Sequence, residues 1–230
     1  MKVKVSIILC FLVFASQVWA AGDMVLKTQK DKTSYSIGYN IGKNFKSQSI
    51  DVDPDVLSRG VRDALTGSKT LMTDEDIKQT LQALQKKVIT RQRAASKKLG
   101  EKNRKEGEAF LASNKKKKGV KTLPSGLQYR IIKKGTGKTP KATDKVTVNY
   151  RGTLMDGTVF DSSYKRGKPA TFRVNGVIAG WTEALQMMKE GAKWQLFIPS
   201  NLAYGKRGAG RSIGPNAVLI FEVELISVNR

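Results

Sequence analysis

Two residue types on which many enzymes depend are missing or almost missing from this sequence. Its 230 residues include no histidine and a single cysteine, Cys10. Serine–histidine–aspartate triads, cysteine–histidine pairs and the usual zinc sites need those side chains and are excluded. One cysteine also cannot form a disulfide within the chain. We therefore expect neither a metal nor a cofactor, so any catalysis must depend on shape, hydrogen bonding and the exclusion of water.

Long apolar runs are scarce as well. One of them, residues 5–15, follows Lys2 and Lys4 and precedes a short tail that ends at Ala20, which is the pattern of a secretory signal peptide. A membrane anchor is the alternative, but a helix that crosses a bilayer needs about 20 apolar residues. The sequence therefore predicts a signal peptide over residues 1–20 and an exported protein.

Acidic residues are few compared with basic ones. The chain has 42 Lys and Arg but only 19 Asp and Glu, which gives a formal net charge of +23. Such an excess favours anionic partners such as nucleic acid, lipopolysaccharide or acidic lipid, but it is also compatible with a basic surface that has no partner. No nucleic-acid-binding motif accompanies the charge. We therefore expect no specific nucleic-acid partner, and contact of the basic runs with an anionic surface stays open.

Helical patterns follow the signal segment. Residues 23–32 are polar and are expected to be frayed, whereas Ile37, Ile41 and Phe45 recur at helical spacing. Asp53 and Pro54 are typical of a helix start, and the apolar positions after them predict a second helix that ends at residue 67. The residues from 23 to about 84 are too few to bury a generous core alone. We therefore predict an all-α dimerisation domain over residues 21–72 and a homodimer.

A third helix is predicted over residues 73–114. Thr73 is a suitable cap, and an apolar stripe runs from Ile77 to Val88. After residue 90 the apolar residues almost disappear, which indicates a solvated connecting helix about 60 Å long at 1.5 Å per residue. Gly100 and Gly107 leave a broken or partly disordered linker as the alternative.

The remaining residues, 119–230, show short strand patterns and one helical pattern. Residues 146–151 alternate apolar and polar side chains, and Asp156 with Gly157 predicts a hairpin turn. Tyr150 and Phe160 would then face each other across the hairpin, with Asp161 at the rim of an aromatic, water-poor cleft. The fold class is therefore α+β, with an antiparallel sheet wrapped on one short helix. The other expected elements are strands at 127–133, 170–174, 193–198 and 218–228 and a helix at 181–188.

The same residues resemble a known family. Residues 156–163 (DGTVFDSS), with Tyr150 before them, are similar to the FKBP prolyl isomerases, the immunophilins that bind rapamycin-type macrolides. The resemblance continues through residues 180–181 (GW), 203–205 (AYG) and 221–225 (FEVEL). The chain before residue 119 is similar to the N-terminal half of the macrophage infectivity potentiator group, the dimeric envelope FKBPs of bacteria. This implies the periplasm, outer membrane or cell surface of a Gram-negative bacterium.

The resemblance also implies a site. Trp181 would form the floor under a proline ring, and the Ile178 backbone N–H would bind a substrate carbonyl. Asp161 would contact the twisted amide, Tyr204 would donate its hydroxyl to a second carbonyl, and Arg166 would hold the loop. The implied catalytic residues are Asp161, Tyr204 and Tyr150, and the implied substrate-binding residues are Phe160, Arg166, Val177, Ile178, Trp181, Ala203, Ile213 and Phe221. From the residues alone, the aromatic members could simply be core, because aromatic side chains usually are.

The implied function is a peptidyl-prolyl cis-trans isomerase that acts on proline-containing peptides and unfolded exported proteins and is inhibited by macrolides such as rapamycin. Ala170 stands where the family often has an aromatic residue, so one wall is expected to be thinner. Two alternatives stay open. The dimer could be a chaperone or surface-contact protein in which isomerisation is secondary, or the basic runs could bind an anionic surface.

Overall fold

The computed structural model describes residues 24–229. The predicted signal peptide and Cys10 lie outside these residues. Two compact units divide between Ile77 and Lys78. Among the described residues, no helix combines the length and the apolar character needed to cross a membrane.

The first helix, α1 (Gln29–Ser47), begins earlier than its apolar spacing indicates. Thr28 is its N-cap, and the Thr28 hydroxyl accepts a hydrogen bond from the Asp31 backbone N–H at 3.1 Å. In return the Thr28 backbone N–H donates to the Asp31 carboxylate at 2.8 Å. This capping box satisfies amides that would otherwise be free at the helix start. The expectation of fraying is therefore wrong for residues 28–32.

The second helix, α2 (Pro54–Thr66), has the predicted ends. The Asp53 carboxylate accepts hydrogen bonds from the backbone N–H groups of Asp55 and Val56 at 2.8 and 3.0 Å. Gly67 ends the helix in the left-handed conformation, which glycine adopts at little cost.

Residues 24–77, the described part of the first unit, form no hydrophobic core within one copy of the chain. Of residues 24–77, only Asp63 is buried, where it pairs with Arg59 at 2.8 Å. Tyr39, Val56 and Leu65 are 64%, 66% and 83% exposed. Helices of this length gain most of their stability from packing an apolar face. These helices therefore need a further surface to cover their apolar side chains.

The third helix, α3 (Asp74–Asn114), is continuous over 41 residues. The Thr73 hydroxyl accepts a hydrogen bond from the Asp76 backbone N–H at 3.1 Å, as its predicted capping role requires. The prediction of one long helix is confirmed, and the alternative of a broken linker is wrong.

The end of α3 is packed, in contrast to the solvated helix expected from its composition. Gly100, Gly107 and Asn114 are buried. The Asn114 side-chain amide donates to the Gln128 side chain at 3.0 Å, and the ring centroids of Phe110 and Phe197 lie 6.0 Å apart. The expectation of a fully solvated second half is wrong because small and amide side chains, which give no hydrophobic periodicity, make much of this contact.

One antiparallel sheet forms the centre of the second unit. Its order in the described chain is β1-β2-β6-β7-β3-β4, and β5 pairs with the other part of β3. The prediction of an antiparallel sheet is confirmed, although β1, of three residues, was too short to be predicted. The strands are β1 (Val120–Thr122), β2 (Gln128–Lys133), β3 (Lys145–Thr153), β4 (Val159–Ser162), β5 (Ala170–Arg173), β6 (Lys193–Ile198) and β7 (Leu219–Asn229).

A short helix, α4 (Ala179–Leu185), packs on this sheet. Alternate residues of β3, from Val146 to Gly152, are buried, as their period of two predicts. Val146, Val148 and Tyr150 form one core with Trp181 and Leu185 of α4. The α+β prediction is therefore confirmed, and the core places the start of α4 beneath the β3–β4 hairpin.

Substitution Gly107→Ala tests the packing of α3. An added Cβ would lie 2.7 Å from the Val218 Cγ2, and overpacking of this kind costs about 1–3 kcal/mol. The gain in helix propensity is about 1 kcal/mol, so we expect a net loss of stability of about 1 kcal/mol. Urea unfolding measures it, with Glu108→Ala on the exposed face of the same helix as control. A Gly107→Ala variant more stable than the parent would contradict the packing.

Candidate active site

The β3–β4 hairpin positions the rim of the site. Gly152 lies opposite Asp161 in the ladder, and Gly157 takes a positive φ of 86° in the turn. The Thr158 backbone N–H donates to the Asp156 carboxylate at 2.9 Å, which stabilises this turn. A side chain at Gly152 would approach the rings of Phe160 and Phe221 to within 2.6–2.8 Å. Glycine therefore lets both rings pack over the strand.

Trp181 forms the floor, in the first turn of α4. Its side chain is only 3% exposed because three aromatic rings meet it edge to face. The ring centroids of Tyr150 and Phe221 are each 5.2 Å from that of Trp181, and the centroid of Phe172 is 5.9 Å away. Perpendicular aromatic pairs of this kind are favourable beyond the area that they bury. The floor is therefore fixed in place.

A hollow of about 130 Å³ opens above this floor. An apolar cavity of about 150 Å³ can hold benzene, so this hollow has room for a five-membered ring. Tyr150 and Phe160 both line it, as expected, and each packs against Phe221. The lining residues are Tyr150, Phe160, Asp161, Phe172, Val177, Ile178, Trp181, Tyr204 and Phe221.

Three polar side chains are linked at the rim. The Tyr150 hydroxyl donates to the Asp161 Oδ2 at 2.5 Å, and the Arg166 Nη2 donates to the Tyr150 oxygen at 2.6 Å. The Arg166 Nη1 also donates to the Asp161 Oδ1, which accepts a further bond from the Ser162 backbone N–H at 2.8 Å. The carboxylate is thus held in one orientation by charge-assisted hydrogen bonds.

The network shifts the acidity of its members. Burial acts to raise the pKa of Asp161, but the hydrogen bonds from Tyr150 and Arg166 more than offset it and hold that pKa below its ordinary value. Burial, reinforced by the bond to Asp161, raises the pKa of Tyr150. Neither group therefore changes its charge near neutral pH, so the rim is an anion, a neutral phenol and a cation in fixed positions.

Two donors near the hollow are unused within the described part of the chain. The Tyr204 hydroxyl, on a side chain that is 42% exposed, has no hydrogen-bond partner there. The Ile178 backbone N–H, at the N-cap of α4, likewise donates no hydrogen bond. Both can bind acceptors of a ligand that enters the hollow.

The other implied site residues lie behind or beside this lining. Ile213 is buried in the core and Ala203 packs against it, whereas Arg166 contacts the hollow through Tyr150 and Asp161. Phe172 was missed. It lies on the same face of β5 as Ala170, but only the pairing of β5 with β3 brings that face to the hollow. The wall beside Ala170 was expected to be thin, but Phe172 supplies an aromatic ring there.

A larger groove, of about 730 Å³, runs beside α3 and is lined by Ile89, Arg93, Lys97 and Lys206, among others. It has no aromatic wall and no fixed carboxylate. Within residues 24–229, no group of three or more Cys, Asp or Glu side chains could hold a metal ion. The aromatic hollow is therefore the candidate active site.

Comparison with known proteins assigns the chain to a family. Residues 136–226 match the model of the FKBP-type peptidyl-prolyl cis-trans isomerases, and residues 30–131 match that of the domain amino-terminal to them. The chain is 53% identical over 216 residues to the outer membrane protein MIP of Legionella longbeachae, with 94% of this chain and 93% of that protein covered. The chain belongs to the FKBP-type peptidyl-prolyl cis-trans isomerases.

Two further relatives agree with this assignment. The peptidyl-prolyl cis-trans isomerase Mip of Coxiella burnetii is 50% identical over 89% of each chain. The crystal structure of FkpA from Escherichia coli is 41% identical and has a TM-score of 0.67, with 89% of this chain and 99% of that chain covered. The predicted fold, family and enzyme class of this FKBP-type isomerase are therefore confirmed. A chaperone with only incidental isomerisation is not favoured.

Substitution Arg166→Met tests the rim network. It removes a cation and a hydrogen-bond donor that lower the pKa of Asp161, so we expect this pKa to rise. In the parent, the stability that comes from ionised Asp161 is complete above the unfolded carboxyl pKa of about 3.9 and is lost as the pH falls through the lower folded value. In the variant this contribution to stability should be smaller, and its loss on acidification should be complete at a higher pH. Carboxyl ¹³C NMR titration measures the pKa.

The matched control is Lys165→Met, which removes the neighbouring exposed cation that makes no contact with Asp161. An unchanged pKa of Asp161 in Arg166→Met, or an equal rise in both variants, would contradict the network.

Proposed function

We propose that the hollow above Trp181 binds the proline ring of an X-Pro segment and that the rim groups stabilise the twisted form of its amide. The observation that supports this most directly is an aromatic hollow of ring size with a fixed carboxylate at its edge. The catalytic residues are Asp161, Tyr204 and Tyr150. The hollow would also take rapamycin-type macrolides as inhibitors.

Rotation about an X-Pro bond is slow because amide resonance sets a barrier of about 18–20 kcal/mol. Transfer of the amide from water to an apolar cleft disfavours the charge-separated planar form relative to the twisted one. No proton donor or nucleophile is needed for this. The enzyme accelerates the reaction to the extent that it binds the twisted amide better than either planar isomer.

The polar groups act by being in place before the amide rotates. Asp161 presents its carboxylate to the amide in an orientation that Tyr150 and Arg166 fix, so no reorganisation is needed during the reaction. The Tyr204 hydroxyl and the Ile178 N–H, both without partners in the described chain, donate to carbonyl groups on either side of the proline. These donors hold the backbone of the substrate while the bond turns.

The substrates are unfolded proteins of the bacterial envelope. The signal-peptide pattern of residues 1–20 supports export, and one relative carries the name of an outer membrane protein. Newly exported chains contain X-Pro bonds of both isomers, and their slow exchange limits folding. An isomerase placed there would shorten that step.

The chain acts as a homodimer in which the first unit supplies the interface. Residues 24–77 bury no hydrophobic side chain, yet α1 and α2 carry many. A second copy offers an identical set of apolar stripes, and a two-fold interface pairs such stripes with one another. The dimer would then present two isomerase clefts.

The reaction is tested with a proline tetrapeptide in a protease-coupled assay. Asp161→Asn keeps the size of the side chain but removes its charge and weakens the rim network, and we expect kcat/KM to fall about tenfold or more. Asp156→Asn removes a carboxylate from the same hairpin at an exposed turn and should have little effect. Rapamycin should inhibit the parent. A parent no faster than buffer, or equal activity in both variants, would contradict the proposal.

The dimer is tested by light scattering of the exported chain at micromolar concentration. Val61→Asp places a charge in the apolar stripe of α2 and should shift the mass from dimer to monomer while leaving tetrapeptide turnover intact. Arg62→Asp, at an exposed polar position of α2 outside the apolar stripe, is the control and should remain dimeric. A monomer mass for the parent would rule out the interface.

A further inference from the structure

The loop that follows Tyr204 is bound to α3 by two asparagine side chains. The Asn103 amide, on α3, donates to the Pro215 carbonyl at 2.8 Å. The Asn216 amide, on the loop, donates to the Gly100 carbonyl of the helix at 3.1 Å. The two bonds run in opposite directions between the same two segments. We call these four residues, Gly100, Asn103, Pro215 and Asn216, the asparagine clamp.

The clamp depends on a close approach and on an unusual backbone conformation. A Cβ at Gly100 would lie 3.1 Å from the Pro215 Cβ and 3.3 Å from the Asn216 Nδ2, which is tighter than ordinary contacts. Asn216 has a φ of 55°, in the left-handed region, which asparagine adopts more readily than most other side-chain-bearing residues. Such a conformation persists where the surroundings determine it. Here two hydrogen bonds hold the residue, one from the Asn216 side chain to α3 and one from its backbone N–H to the Gly205 carbonyl.

A backbone hydrogen bond connects the asparagine clamp to the candidate active site. The Asn216 backbone N–H donates to the Gly205 carbonyl at 2.8 Å, and Gly205 directly follows Tyr204. The same loop also carries Ile213, which is buried and paired with Ala209. Two hydrogen bonds of Asn216 therefore connect α3 to the residue that follows Tyr204. The Asn216 side chain bonds to Gly100 of the helix, and its backbone N–H bonds to Gly205.

Tyr204 needs such support because nothing within the described residues fixes its hydroxyl. Its side chain is 42% exposed, and its hydroxyl has no hydrogen-bond partner there. Asp161, in contrast, is held by Tyr150 and Arg166. The position of the Tyr204 hydroxyl is therefore set by the backbone of its loop.

We propose that Asn103 and Asn216 are positioning residues of the isomerase, which act by holding the Tyr204 loop against α3. The end of α3 is thereby a functional part of the catalytic unit. This inference rests on the role proposed above for Tyr204. It also explains why glycine occupies position 100, where its low helix propensity is unfavourable but its missing Cβ lets the loop approach.

A double-mutant cycle in the full exported chain tests the proposal. In the parent, Tyr204→Phe should lower kcat/KM for a proline tetrapeptide about fivefold to tenfold, the effect of one lost hydrogen bond of about 1 kcal/mol or slightly more. In Asn103→Ala, which leaves the loop sequence unchanged, kcat/KM should already be lower by a similar factor. Addition of Tyr204→Phe to Asn103→Ala should then have little further effect.

Three controls separate positioning from loss of stability. Arg104→Ala, an exposed neighbour on α3, should leave kcat/KM unchanged. The effects of Asn103→Ala and Asp161→Asn on kcat/KM should be additive, because Asp161 lies on the β3–β4 hairpin and not on the Tyr204 loop. Asn216→Gly keeps the positive φ but removes the side-chain bond, and it should reproduce Asn103→Ala. Full additivity of Asn103→Ala with Tyr204→Phe would overturn the proposal.

Hydrogen exchange tests the same idea without the reaction. Amides of residues 204–216 should exchange faster in Asn103→Ala than in the parent or in Arg104→Ala. Unchanged exchange in this segment would overturn the positioning role even if the enzyme is an isomerase. If exchange rises but Tyr204→Phe has no effect in the parent, the proposed role of Tyr204 fails and the inference fails with it.

Discussion

Tyr150 is the residue on which the two halves of the active site depend. Its ring packs edge to face against Trp181, with centroids 5.2 Å apart, and so belongs to the apolar hollow. Its hydroxyl lies 2.5 Å from Asp161 and 2.6 Å from Arg166, and so belongs to the polar rim. A carboxylate beside an apolar cleft is costly unless it is paired and hydrogen-bonded. Tyr150 lets the chain keep a dry hollow and an ionised carboxylate in contact.

The long helix combines two physical tasks within one sequence. Near its start, apolar side chains such as Leu81 are exposed in a single copy, whereas its last turns are packed. That packing uses Gly107 against Val218 and Asn114 against Gln128. Contacts of this kind are short-ranged and directional, so they hold the helix end in one position. The isomerase unit is thus larger than its sheet and includes a helix whose composition resembles that of a solvated linker.

Much of the fold could be predicted from the sequence because its signals are local. Asp53 with Pro54 marks a helix start, and the alternation from Val146 to Tyr150 marks a half-buried strand. The hairpin pattern indicated Tyr150, Phe160 and Asp161, and the family resemblance added Trp181 and the other predicted residues that line the hollow. These features depend on neighbouring residues or on a family pattern, and the sequence contains both.

The remainder depends on contacts between distant residues. Asn103 and Asn216 are separated by more than a hundred positions, and neither is apolar, so no periodicity indicates that they meet. Phe172 contributes a wall only because β5 pairs with β3 and brings it to Trp181. Tertiary packing decides both of these features. The start of α1 was missed for another reason: the Thr28–Asp31 capping box that determines it is a local signal, and the prediction relied on hydrophobic spacing.

The central claim is that this isomerase accelerates bond rotation by desolvation and fixed dipoles, with no group that changes its protonation during the reaction. The most direct test is kcat/KM for a proline peptide between pH 5 and pH 9, measured by NMR exchange in H₂O and in D₂O. We predict a flat pH profile and equal rates in the two solvents. A bell-shaped profile, or a rate that falls severalfold in D₂O, would show proton transfer in the slow step and contradict the account.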